Sequence, residues 1–236
     1  MTLKNINFKK LYILLFLLAQ ICLYPFVVFG VGNVRVVAYV AILLCFATSL
    51  VLLQKNKQSL LLAVALFCTA CADFFLILKG GSNKNLAMCF FVVAQLAYGA
   101  RTLLFANNKK EFWANVISRC VLMSGLVIGS FAVVGSLLVV SDTPAYVVFS
   151  MIYFGNLLTN LAFAFLHFKQ NKMLAVGLLL FVCCDLFVGF GEMINLLDLG
   201  ADHFITKLVR APVSIHSIFY HPSQVLLSLS ATKKIK

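Results

Sequence analysis

The chain has 236 residues, 63% of them hydrophobic and only 11% charged, whereas about a quarter are charged in ordinary soluble domains. This composition excludes a soluble globular protein and points to an integral membrane protein. The net charge of +12 sits in short loops between apolar runs, so it reports topology, and no nucleic-acid partner is expected.

Eight apolar runs follow one another: Leu11 to Phe29, Val34 to Leu53, Ser59 to Leu78, Leu86 to Ala106, Val116 to Val140, Thr143 to Phe168, Met173 to Phe190 and Val213 to Thr232. Each is long enough to cross about 30 Å of hydrocarbon as a helix. The first follows Lys4, Lys9 and Lys10 as a signal peptide would. It exceeds a typical h-region and shows no small-x-small cleavage site, so a retained helix is expected. The longest connection, Gly191 to Pro212, is too small to fold alone. The reading is an all-α, polytopic membrane protein with eight transmembrane helices, forming one helical-bundle domain over residues 1–236.

In an eight-helix serpentine, Lys4, Lys9, Lys10, Lys55, Lys57, Lys109, Lys110, Lys169, Lys172, Lys233, Lys234 and Lys236 fall on one side. Arg35, Lys79, Lys84, Lys207 and Arg210 fall on the other. The positive-inside rule therefore predicts cytoplasmic N- and C-termini. Arg101 and Arg119 lie inside helices or at their ends. Arg101, close to the cytoplasmic end of the fourth helix, is expected to snorkel to the headgroups.

Two runs carry a lone acid, Asp73 in AVALFCTACADFFLIL and Asp185 in GLLLFVCCDLFVGF. An ionised carboxylate in hydrocarbon costs roughly 2.5 to 3.5 kcal/mol on insertion scales, which makes this pair the leading candidate for chemistry. Both share the pattern Cys-x-Asp-x-Phe, in the third and seventh helices, about half the chain apart. The helix after each supplies a glutamine, Gln95 or Gln224. Four helices separate the copies, so the pattern suggests a 4+4 parallel repeat. At 1.5 Å per residue both acids lie roughly 18 to 21 Å from the cytoplasmic ends of their helices, in the outer half. Glu192, seven residues after Asp185, projects from the same helix face nearer the outer surface.

Polar residues recur at helical spacing on three further helices. The fourth has Gln95, Tyr98 and Thr102, the sixth Tyr153, Asn156, Asn160 and His167, and the eighth Ser217, Tyr220, His221, Gln224 and Ser228. They suit either the lining of a polar cavity around the aspartates or interhelical hydrogen bonding at about 0.6 kcal/mol each. His221 beside Pro222 also suits bonding to carbonyls freed by a proline kink. The fifth helix reads as structural: Ser124, Gly125, Gly129, Ser130, Gly135 and Ser136 would form a smooth face for close approach of neighbours. All eight cysteines lie in predicted helices, so no disulfide framework is expected. At 100° per residue Cys71 and Cys183 point about 160° away from their aspartates, which argues against a four-thiolate metal site. No cofactor motif is present.

The arrangement Leu66-Phe67 to Ala72-Asp73, Gln95-Leu96-Ala97-Tyr98, Phe181 to Cys184-Asp185 and Phe219-Tyr220-x-x-x-Gln224 resembles the YhhN-type membrane family, which includes the lysoplasmalogenases. The resemblance extends from about Leu60 to Ser228 and departs from the family pattern at Ala72 (glycine), Cys184 (serine) and Ser223 (alanine). The family's lysine-proline near the second helix is represented by Arg35-Val36. The resemblance implies an eight-helix protein with Asp73 and Asp185 catalytic and Gln95, Tyr98 and Gln224 in the pocket. It further implies hydrolysis of the vinyl ether of a lysoplasmalogen to a fatty aldehyde and a glycerophospho-alcohol.

Two carboxyls suit that chemistry. Vinyl ethers hydrolyse by protonation at carbon, giving an oxocarbenium ion, so an acid must deliver a proton and an anion must stabilise the cation. Proximity in a low dielectric favours one proton shared between them. Arg35 and Lys79 are candidates to hold a lipid phosphate, and snorkelling accounts for them equally well. The expected partner is a lysophospholipid or another amphiphilic lipid within the bilayer. Other readings of the paired acids are a proton-coupled small-molecule or lipid transporter, or a non-catalytic lysolipid binder.

Overall fold

The computed structural model describes residues 8–140, 144–196, 200, 202–210 and 213–232. Lys4, Thr143, Lys233, Lys234 and Lys236 lie outside them. Helices account for the fold, and no strand occurs among the described residues. They run α1 (Phe8–Val28), α2 (Val34–Val51), α3 (Lys57–Asp73), α4 (Lys84–Leu103), α5 (Lys109–Val140), α6 (Pro144–Leu166), α7 (Lys172–Leu196), the short α8 (Phe204–Val209) and α9 (Ile215–Leu229). A π-helical turn, Phe74–Leu78, continues α3, and a 3₁₀ turn, Ser230–Thr232, continues α9.

Asparagine starts many of these helices by accepting an otherwise unpaired backbone N–H. Asn56 accepts from Ser59 N at 2.8 Å, Asn108 from Glu111 N at 2.8 Å and Asn171 from Leu174 N at 3.1 Å. The Glu111 carboxylate in turn accepts from the residue preceding Asn108, Asn107 N, at 2.8 Å, and the two bonds together fix where α5 begins. Between α3 and α4 the chain reverses through Gly80 and Gly81, with φ of 59° and 76°, a left-handed conformation that side chains disfavour.

Among the described residues seven helices are long and apolar enough to cross a membrane, and they mark an integral membrane protein. The eighth expected span, Val213 to Thr232, contains only the 15-residue α9, about 22 Å long. Its start is tied to the end of α1 by Ser214 N to Val28 O at 3.0 Å. It packs chiefly against α7 and also meets α1, α2 and α3.

Helix α7 packs on α9 as α3 packs on α4, α5 on α6 as α1 on α2, α6 on α7 as α2 on α3, and α4 on α6 as α9 on α2. The core along these contacts includes Leu62, Leu66, Leu157, Leu174, Leu178, Phe181 and Leu227. Helices α1 and α5 are peripheral: Ile21, Ile117, Val121 and Ile128 are exposed, as lipid-facing side chains should be.

The small residues of α5 do not serve the close approach expected of them. A Cβ placed on Gly125 or Gly129 would meet nothing within 4 Å, because that stripe shares the exposed face with Val121 and Ile128. Side chains at Gly135 and Ser136 lie outside the described set. Close approach falls instead at Gly177, where a Cβ would come within 3.0 Å of Leu227, and at Gly155, within 3.1 Å of Met123. These glycines let α9 and α5 dock on their neighbours.

Candidate functional site

Asp73 is the last α-helical residue of α3, at the join with the π-turn, a local irregularity often found beside functional groups. Its side chain is enclosed, 3% exposed, and its Oδ2 accepts a hydrogen bond from the hydroxyl of Tyr220 on α9. Asp185 on α7 is partly exposed, and its Oδ2 accepts from the hydroxyl of Tyr153 on α6. Phe181, one turn before Asp185, touches both tyrosines, with ring centroids 5.6 Å from Tyr220 and 6.4 Å from Tyr153. Phe91 of α4 joins this aromatic base, 5.5 Å from Tyr153. The two carboxyls are within electrostatic reach of each other, and Cys184 is within reach of both. Tyr39 of α2 borders Asp73 and packs on Phe74 at 6.0 Å.

Toward the end of the bundle bearing the α3–α4 turn, Glu192 pairs with Lys84 at 3.1 Å, and the Lys84 ammonium lies 5.6 Å over the ring of Tyr146. Tyr146, two turns before Tyr153 on α6, is within electrostatic reach of both Glu192 and Asp185. A concavity of about 430 Å³ opens here, lined by residues 81–86 and Tyr146. The exposed Arg35 places its guanidinium beside Gly80, and Lys79 lies over the ring of Phe74 at 5.8 Å. This end therefore gathers cations and aromatic rings around the approach to the acids.

Other expected lining residues are engaged elsewhere. Asn156 and Asn160 accept from the Arg119 guanidinium at 2.7 and 2.9 Å, and Asn115 accepts at 3.0 Å. The guanidinium is accommodated by Gly99, where a Cβ would lie 2.6 Å from it. Asn160 donates in turn to the side-chain oxygen of Gln95 at 3.0 Å. Neither asparagine is bonded to an aspartate. Sequence reasoning missed this cluster although Asn115 stands four residues before Arg119, the spacing that brings helix neighbours together.

Arg101 does not snorkel. It is 1% exposed and donates to Ser230 Oγ at 2.7 Å and to Ser230 O at 3.0 Å, held inside because its partner lies at the far end of the chain. His221 packs against the Tyr220 ring at 5.8 Å and faces the carbonyls of Ser217 and Ala38. The carbonyl freed by Pro222, that of Ile218, is taken by the hydroxyl of Tyr24 at 3.2 Å. His167 lies just past α6 and pairs with Glu111 at 2.5 Å, away from the acids. Tyr98 and Gln224 are fully enclosed. Among the described residues no group of three His, Cys, Asp or Glu side chains is placed to hold a metal ion.

Phe91 was not singled out by sequence, and Phe181 only as the start of the Phe181 to Cys184-Asp185 stretch. Phe181 stands one helical turn from Asp185, a spacing visible in the chain, whereas Phe91 comes from another helix and leaves no local signal.

None of the curated proteins and none of the solved structures matches this chain. The family model described as the YhhN family matches residues 33–231, a stretch that includes both acids, both tyrosines and every helix that contacts them. The chain belongs to the YhhN family.

Proposed function

We propose that the chain is an intramembrane hydrolase acting on the vinyl ether of a lysoplasmalogen, with Asp73 and Asp185 as the catalytic pair. The observation that supports this reading is that two carboxyls from different helices each accept a tyrosine hydroxyl, and that the two tyrosines pack on the same Phe181 ring. One carboxyl, protonated, donates to the vinyl carbon and leaves an oxocarbenium ion beside two carboxylates. Water adds to the cationic carbon, and its proton passes to a carboxylate, restoring the starting charge. The hemiacetal then splits into fatty aldehyde and glycerophospho-alcohol.

The alkenyl chain would lie along the apolar residues beside the acids, Phe74, Phe75 and Phe187. Phe187 stacks on Phe219 at 5.6 Å and Phe75 on Phe90 at 6.1 Å. The phosphate would meet Arg35, Lys79 or Lys84 at the concave end. Tyr98, Gln95 and Gln224 support the pocket from below, while Asn156 and Asn160 hold α6 in place through Arg119.

The same reading takes α9 as an eighth span and the whole chain as one domain. The matched helix pairings of the two halves support a 4+4 parallel repeat in which α3 corresponds to α7 and α4 to α9. Positive-inside reasoning places the lysine-rich end, and both termini, in the cytoplasm.

The test is side-by-side incubation of purified protein with lysoplasmalogen and with an acyl lysophospholipid. Aldehyde from the first and no fatty acid from the second is expected; fatty acid alone would replace the vinyl ether reading with an esterase. A second reading, proton-coupled transport, is favoured by the enclosed polar residues Tyr98, Arg101 and Gln224 in the opposite half of the bundle. It predicts solute or proton flux in liposomes without aldehyde release. A non-catalytic lysolipid binder would show affinity without either.

A further inference from the structure

Among the described residues, six side chains enclosed to within 1% of full burial carry polar atoms with no partner in the protein; besides Gln95 and Asn115, which belong to the Arg119 cluster, they are four residues of α4 and α9. These are the Tyr98 hydroxyl, Arg101 Nε, the Ser223 hydroxyl and both Nε2 and Oε1 of Gln224. In a membrane-embedded bundle every such group needs a hydrogen-bond partner, since no bulk water is at hand to supply one.

Tyr98, Arg101 and Gln224 border one region. Tyr98 is in electrostatic contact with Arg101, with Cys45 of α2 and with Cys68 of α3. Cys45 meets Ser228 of α9, one turn beyond Gln224. Arg101 bridges from α4 to Ser230, whose carbonyl also accepts from Asn171 at 3.1 Å. Helices α2, α3, α4 and α9 thus wall the region, and Arg101, Ser230 and Asn171 close its lysine-rich end.

The chemistry of the unpartnered atoms selects the occupant. Arg101 Nε and Gln224 Nε2 donate, Gln224 Oε1 accepts, and the two hydroxyls do either. An anion would leave the acceptor unmet and a metal cation would be repelled by the guanidinium. Water satisfies both kinds at once, making two to four bonds per molecule.

We propose that this region is an internal water compartment that supplies the aspartate pair. Gln224 lies one turn from Tyr220 on the same face of α9, and Tyr220 donates to Asp73. The chain of polar groups therefore runs from Arg101 through Tyr98 and Gln224 to the acid. The supply role rests on the hydrolase reading, in which each turnover consumes one water; the hydration itself does not.

Hydroxyl radicals generated by an X-ray pulse label side chains next to bound water even when they are enclosed. With the purified full chain, read by mass spectrometry, Tyr98 should be labelled several-fold above Phe105 and Phe163 once corrected for intrinsic reactivity. Those two phenylalanines are 3% and 9% exposed and serve as dry references. Gln224→Leu should lower Tyr98 labelling several-fold and leave Phe105 unchanged. Ser223→Ala, a smaller change, should lower it in the same direction if the first variant does not fold. Tyr98 labelled no more than the references would overturn the compartment, even if aldehyde is released. Labelling of Tyr98 without aldehyde release would uphold the compartment while the hydrolase reading fails.

Discussion

The two acid sites are built alike and finished differently. Each aspartate sits on a helix of one half and takes a hydroxyl from a tyrosine of a neighbouring helix, Asp73 from Tyr220 and Asp185 from Tyr153. Asp73 is sealed, with Tyr39 and the π-turn at its back, while Asp185 is partly exposed and faces Tyr146, the residue that carries the Lys84–Glu192 pair. The bundle thus offers one carboxyl to the protein interior and one to the side of the Lys84–Glu192 pair. The difference teaches that two aspartates of the same residue type, each held by a tyrosine, can be set apart by enclosure alone.

The strongest expected effect comes from removing either acid. Asp73→Asn and Asp185→Asn each should lower aldehyde release by about 100- to 10,000-fold, the usual contribution of a positioned acid or base. If the two acids act as one unit, the double variant should lose little more than either alone. Turnover and aldehyde yield in detergent check this. Full activity in both variants would end the catalytic reading, and loss in only one would reduce the pair to a single acid with a spectator.

Next in size is the cost of removing each tyrosine. Tyr220→Phe leaves the sealed carboxyl of Asp73 without its donor, at about 1–3 kcal/mol. Tyr153→Phe should cost less, because Asp185 has access to other partners through its exposed side. Thermal unfolding of the two variants in one detergent measures the gap. Equal losses would mean that the enclosure of the two acids does not differ in the membrane-like environment.

Arg119 allows α6, which carries the Tyr153 partner of Asp185, to be perturbed from a distance. Arg119→Leu leaves the oxygens of Asn115, Asn156 and Asn160 without a donor, about 2 kcal/mol in all at roughly 0.6 kcal/mol per membrane hydrogen bond. Loosening α6 should also move Tyr153, so turnover should fall along with thermal stability. Arg119→Lys should restore only part of both, since an ammonium lacks the planar fork that meets three amide oxygens. A variant with reduced stability and unchanged turnover would disconnect the cluster from the site.

Much of this was legible in the chain. Apolar length located seven spans, and a lone acid in each of two otherwise greasy runs drew attention to Asp73 and Asp185. Tyr153 and Tyr220 were visible as members of polar stripes. Which tyrosine serves which acid was not, because Tyr220 is 147 residues from Asp73 and helix periodicity carries no information across that distance. Arg101 was misread for a related reason: distance from a helix end is measured along one helix, while Ser230 arrives from another. The α5 glycines misled because a small-residue face is the same pattern whether a neighbour occupies it or lipid does. Only the packing of α5 on α6 alone among its principal contacts decides that.

The smallest expected effect lies at the concave end, where the Lys84–Glu192 pair is about half exposed on each side. Such a pair contributes about 0–1 kcal/mol to stability, so Glu192→Gln should leave unfolding nearly unchanged. Its charge, however, sits beside Tyr146, itself within electrostatic reach of Asp185, and it holds the Lys84 ammonium over the ring. Releasing that ammonium should strengthen attraction for a lipid phosphate and lower KM at low ionic strength, with the effect fading as salt screens the site. Turnover should hold, since neither residue touches the acids. A change in turnover with KM constant would place Glu192 in the chemistry itself and give the Asp185 half a third carboxyl that the Asp73 half does not have.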